Sequence, residues 1–207
     1  MLKKFTDLLR ALGLKKDPPI ETLAQLIAFI EGSSAYVSQV TLYTYVKARS
    51  GTQHPKLFEN DDFLTSLRIA RWHIFGACVA DLTLFASAQF ARSGMIDDDR
   101  ARVFATDIIH HILHDYDQDD IPSERFTEME TRGKQRANVI DWHSVADGAA
   151  AFQSSSDAIY RWAPIADHLK QDDEEIIRNS LHLRWIGVRR DLKERLRQDS
   201  VLAGWSR

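Results

Sequence analysis

The sequence predicts an all-α fold: a single compact bundle of seven to nine helices, led by a basic amphipathic helix at the N-terminus. Three observations carry this. Apolar residues recur at helical spacing through most of the chain, with a capping residue or a Gly/Pro break between successive runs. The one stretch that alternates like a strand, VTLYTYV at 40–46, has no obvious partner elsewhere, and an isolated strand would leave its backbone groups unpaired. Hydrophobic content of 44%, with five Trp, ten Phe and five Tyr, supplies a real core and argues against disorder.

Taken in order, Leu2, Phe5, Leu8, Leu9 and Leu12 form one helical stripe that stops at Gly13. LKKDPP links it to the next helix, with Asp17 as a cap and the prolines suited to a first turn. Residues 20–49 are apolar on nearly every side, and EGSS at 31–34 is a candidate break, with Ser33 or Ser34 capping a second helix. SGTQHPKLFEN at 50–60 is a loop by composition. Asn60 or Asp61 then caps a long helix to about Arg92, closed by Ser93-Gly94. Acidic residues 97–99 open a helix running to about Tyr116, and Pro122 opens another to about Asn138. A short alanine-rich helix is expected over 141–152, and SSSD at 154–157 caps a further one that Pro164 kinks or ends. The last helix starts at the acidic run 172–175 and ends among Arg189 to Arg197, as the helix dipole favours. Three regions follow: 1–16 as the amphipathic helix, 17–199 as the helical domain and 200–207 as a tail.

Composition narrows the function. A net charge of −3 argues against nucleic acid as a partner. The single cysteine, Cys78, forms no internal disulfide and lies in the apolar run IFGACVADL, so it reads as a buried thiol of a reducing, cytoplasmic setting. No stretch of about 18 apolar residues lacks a charge; Ile74 to Phe90 is interrupted by Asp81. The N-terminus lacks the apolar core of a secretory signal. No nucleotide loop, zinc framework or catalytic signature stands out, and no cofactor is implied. His143-Ser144 with Asp147 offers hydrolase residue types without the geometry, because adjacent helical residues do not face one another.

DIIHHILH at 107–114 suggests a metal, since Asp107, His110 and His114 share one side of a helix. That side is opposite Phe104, Ile108, Ile109 and Ile112, whereas bundle metal sites project their ligands inward. A solvated polar face is therefore favoured. His111 lies at the edge of the apolar sector. Asp81 sits within the apolar face of its own helix, and a buried carboxylate needs a cation or several donors. The expected partner is His111, or failing that Ser33, Ser34 or an arginine from another helix.

Tyr43, Tyr45, Lys47, Arg49, His54 and Lys56, joined by Arg71, form the leading candidate for an anionic ligand site, because aromatics stand beside guanidinium and ammonium groups around a glycine loop. Lys3, Lys4, Phe5, Arg10, Lys15 and Lys16 suit a helix resting on anionic lipid at the inner face of a membrane, with docking on the domain as the alternative. The function expected is that of a non-enzymatic binding protein with a protein partner: an adaptor, assembly factor or regulator. The alternatives are a metal-dependent helical enzyme using Asp81 and His111 with Glu31 or His110, and a sensor of a small anionic ligand.

Overall fold

The computed structural model describes residues 17–114, 116, 121–148 and 150–205, without the side chains of Gln53 and His54. Residues 1–16, and with them the lipid-facing set Lys3, Lys4, Phe5, Arg10, Lys15 and Lys16, lie outside this range. The described residues form ten α-helices and two short 3-10 turns, with no strand. The count exceeds the expected seven to nine because two helices are single turns of four residues, α2 (His54–Leu57) and α8 (Asp167–Lys170).

The centre of the bundle is α3 (Asp61–Arg92), capped by Asn60, whose side chain accepts from Phe63 N at 2.8 Å. From Cys78 to Ala91 every residue of α3 is buried. A helix apolar on all sides must be surrounded, and five helices do this: α1 (Leu23–Ser50), α4 (Asp98–His114), α5 (Ser123–Ala137), α6 (Trp142–Asp147) and α7 (Gln153–Trp162). By length and composition α3 could cross a membrane, with a mean hydropathy of 1.5 over its best window, but 94% of that window is buried within the protein. Outside this ring, α9 (Glu174–Arg195) packs on α1 and α7.

The expected break at EGSS does not occur; α1 is continuous through VTLYTYV as well. Gly32 lies on the exposed side, while Ile30, Ser34, Val37 and Leu42 keep one buried stripe running past it. Burying that stripe outweighs the ~1 kcal/mol that a helical glycine costs. A Thr22–Gln25 capping box starts the helix. The tail expected from residue 200 is partly structured: α10 (Gln198–Ala203) is followed by Trp205, whose ring meets Phe104 edge-on at 4.9 Å. Ile20 N donates to Arg195 O and Arg197 N to Ile20 O, both at 2.9 Å, closing the start of the domain onto its end.

Asp81 is wholly buried, and its partner is not His111 but Arg136 of α5. His111 is exposed on α4. The fallback, an arginine from another helix, is the arrangement found. Arg136 also donates to Ser154 Oγ at 2.6 Å and to the carbonyls of Ala150 and Ala151 at 2.8 and 2.7 Å. The other oxygen of Asp81 accepts from Ser155 N at 2.8 Å. Ser155 is the third residue of α7, so its amide is one of the orphan donors of a helix start. A carboxylate from α3 thus does the capping that SSSD was expected to do, and the serines fall inside the helix instead. Burial pushes the Asp81 carboxyl up from its ordinary range, while the Arg136 guanidinium and Ser155 pull it back down.

Removing one member of such a pair leaves the other charged and buried. Asp81→Ala is expected to cost about 3–5 kcal/mol. Asp81→Leu combined with Arg136→Met should recover part of that loss in urea denaturation. A double variant no more stable than Asp81→Ala would show that the stranded charge is not the cause.

Candidate functional site

A cavity of about 210 Å³ lies between α3, α5 and α7, beside the Asp81–Arg136 pair. Small residues make the room: Gly76, Ala77 and Ala80 on α3, Gly133 on α5 and Ala158 on α7 line it. Spacing on the helices aims charge at it, because residues four apart share a face. On α5 these are Arg132 and Arg136; on α7 they are Asp157 and Arg161.

The groups around the cavity differ in how fully they are engaged. All the contacts of Arg136 are within the chain, as described. Arg132 is exposed and donates to Glu128 one turn earlier at 2.5 Å. Arg161 stacks over the Trp162 ring at 5.6 Å and, among the described residues, forms no ion pair. Asp157 accepts from Arg178 at 3.1 Å.

His73 completes the wall. It is buried, and its ring stacks on Trp162 with centroids 3.7 Å apart and planes within 4°. Its Nε2 has no hydrogen-bond partner. A buried polar atom left unpaired is costly, and most such atoms have a protein or water partner. Burial lowers the His73 pKa from 6.5 to about 4, with the Arg125, Arg132 and Arg161 guanidiniums adding to the shift against Glu128. The imidazole is therefore neutral near pH 7, and Nε2 donates or accepts according to tautomer. The arrangement offers an aromatic platform, one uncommitted ring nitrogen and two guanidiniums at the rim. Guanidiniums of this kind can grip a small anion, and Asp157 sets a carboxylate in the same wall.

The residues expected to bind an anion are distributed differently. Tyr45 Oη donates to Asp173 Oδ2 at 2.6 Å, and Arg49 pairs with the same carboxylate, which is fully buried. The carboxylate that Arg49 grips belongs to the chain itself and ties α1 to the start of α9. Tyr43, Lys47 and Lys56 are exposed, Arg71 lies over Trp72 at 5.1 Å, and the His54 side chain is outside the description.

The alternative metal set is not assembled either. Asp81 faces Arg136, His110 Nδ1 meets Glu130 Oε1 at 2.9 Å, and Glu31 accepts from Tyr116 Oη at 2.7 Å. Glu31 and His111 do line one small cavity with Ile27, Ile112 and Tyr116, but without a third ligand. Among the described residues no group of three or more His, Cys, Asp or Glu is placed to hold an ion. His110 and His114 of DIIHHILH are exposed, as the helical geometry predicts; His111, expected at the edge of the apolar sector, is exposed as well, and Asp107 is half-buried and accepts from Trp205 Nε1 at 3.2 Å. It is one wall of a groove with Leu23, Ile27 and Trp205 rather than open surface.

Sequence reasoning passed over His73 and Arg136. Arg136 had a readable signal: it follows Phe126, Met129 and Gly133 along one stripe of its helix, the buried one. No family model matches the chain, and no curated protein or solved structure matches it.

A histidine with a folded pKa of about 4 and an unfolded value near 6.5 takes up its proton more readily when the chain unfolds. Its stabilisation is present above pH 6.5 and is lost as pH falls towards 4. His73→Phe keeps a ring against Trp162 and removes the titration. Its unfolding free energy should decline less steeply than the wild type over that window; parallel curves would count against a buried neutral His73.

Proposed function

We propose that this protein works by binding, as a receptor or regulator whose ligand is a small anion held in the α3–α5–α7 cavity. One observation carries the reading: a buried histidine nitrogen without a partner shares a cavity wall with Arg132, Arg161 and the Trp162 ring. A guanidinium meets a carboxylate or phosphate in a fork, and Arg161, over its own tryptophan, is held ready for that geometry. The size of the cavity limits the ligand. Drug-sized molecules occupy roughly 300–1,000 Å³, so about 210 Å³ favours an anion of metabolite size or smaller. Asp157 at the rim discriminates against a second negative group at its end of the site.

Thermal unfolding with inorganic phosphate, acetate and pyruvate at millimolar concentration tests this directly. A ligand present at 100 times its dissociation constant adds about 2.7 kcal/mol, which for a chain of this size raises Tm by roughly 5–10 °C. At least one probe should raise Tm in the wild type, and the rise should vanish in Arg161→Ala while surviving in Lys47→Ala. Equal shifts in wild type and Arg161→Ala, or no shift with any of the three, would overturn the assignment.

A further inference from the structure

On α9 the buried residues Ile177, Leu181, Trp185 and Leu192 face the bundle. Its opposite side should be polar, yet Ile176 is 62%, Leu183 69% and Ile186 42% exposed. At about 100° per residue, Ile176, Asn179, Leu183, Ile186 and Arg190 of α9 fall on one stripe, and Asp172 lies in the turn two residues before the helix starts. Their spacing alternates three and four residues, the a/d seam of a coiled coil, here with no helix of the described residues laid against it. Gly187 borders the seam, and a Cβ built there meets nothing within 4 Å, so a second backbone can come close. Scattered exposed apolar residues are ordinary; three on one seam are not.

We infer that this seam pairs with the same seam of a second copy, the two α9 helices running antiparallel. The charge pattern selects this occupant and this direction. α9 begins among acidic residues and ends among basic ones. In the antiparallel register centred on the turn holding Leu181, a positions meet d positions of the other copy: Ile176 meets Ile186 and Leu183 meets Asn179, while Arg190 comes opposite the turn that carries Asp172 just before the other α9. A parallel pairing would set Arg190 against Arg190 and Asp172 against Asp172. Among the described residues Arg190, Asp172 and Glu175 form no ion pair, so no described residue neutralises the charges at the two ends of the seam. A cleft of about 420 Å³ opens beside Ile186; Arg189, Arg190 and Lys193 line it with two carboxylates, Glu194 and Asp147, the latter paired with Arg92, and it lies where the acidic start of the second α9 arrives. The contact is isologous, as a two-fold dimer requires, and a single helix pair belongs to the small, weak end of specific interfaces.

Sedimentation equilibrium of the full chain should show a reversible monomer–dimer equilibrium that weakens with salt, since exposed charge pairs are screened. Leu183→Glu should leave monomer only. Asp172→Arg and Arg190→Asp should each weaken the dimer at least tenfold, and the two together should restore it, because every pair is then reversed. Mixed Ile176→Cys and Ile186→Cys proteins should crosslink to each other far faster than either crosslinks to itself. All five positions are exposed, and unchanged circular dichroism confirms folding. A monomer at every concentration, a dimer indifferent to Leu183→Glu, or a double charge reversal no better than the singles would overturn the inference.

Discussion

The buried contact between Asp81 and Arg136 is the constraint around which the rest of this fold is arranged. It joins three helices that are far apart in sequence. Asp81 belongs to the central helix, Arg136 to α5, Ser154 and Ser155 to the first turn of α7, and the carbonyls of Ala150 and Ala151 to the 3-10 turn just before it. Trp185 of α9 extends the network by donating Nε1 to Ser155 Oγ at 3.2 Å. A buried ion pair is weak as a source of stability, because desolvation takes back most of what attraction supplies. Its value here is placement. Only one rotation of α5 and one starting point of α7 satisfy all these groups together.

That placement is what creates the cavity. The approach of α5 to α3 is close: a Cβ on Gly76 would come within 2.5 Å of Met129 Sδ, and one on Gly133 within 3.4 Å of Ala80 Cβ and 3.2 Å of Ile109 Cδ1 on α4. With α5 seated by these glycines and α7 started by Asp81, His73 and Trp162 stack at the other side of the space. The same groups that fix the helices therefore bring Arg132 and Arg161 to its rim. A second buried carboxylate, Asp173 at the N-cap of α9, anchors that helix instead of capping it: Tyr45 and Arg49 hold it and set the point on α1 from which α9 departs. The exposed seam of α9 is a consequence of that docking.

Helix existence was readable because it rests on local pattern. The span of α3, its Asn60 cap and its Ser93-Gly94 end, the acidic start of α4 and the opening of α5 after Pro122 all follow from spacing and capping chemistry within a few residues. The need of Asp81 for a partner was also readable, as a polar residue on an apolar face. The failures share one cause. EGSS looked like a break and SSSD like a cap because each has the right local chemistry, and in each case a contact from a distant helix overrode it. Arg49 looked like a ligand group because its carboxylate partner lies 124 residues away.

The amino-acid sequence by itself determined that the chain is all-helical, where most helices lie, and that one carboxylate would be buried and in want of a cation. Periodicity and capping act over one or two turns, and a stretch of residues carries that information whole. Only the tertiary structure decided which arginine answers Asp81, that His73 shares a wall with Arg132, Arg161 and Trp162, and that Ile176, Leu183 and Ile186 remain uncovered. These depend on the rotation and separation of helices about one another. That geometry is set by the packing of the whole core at once, with no single segment recording it.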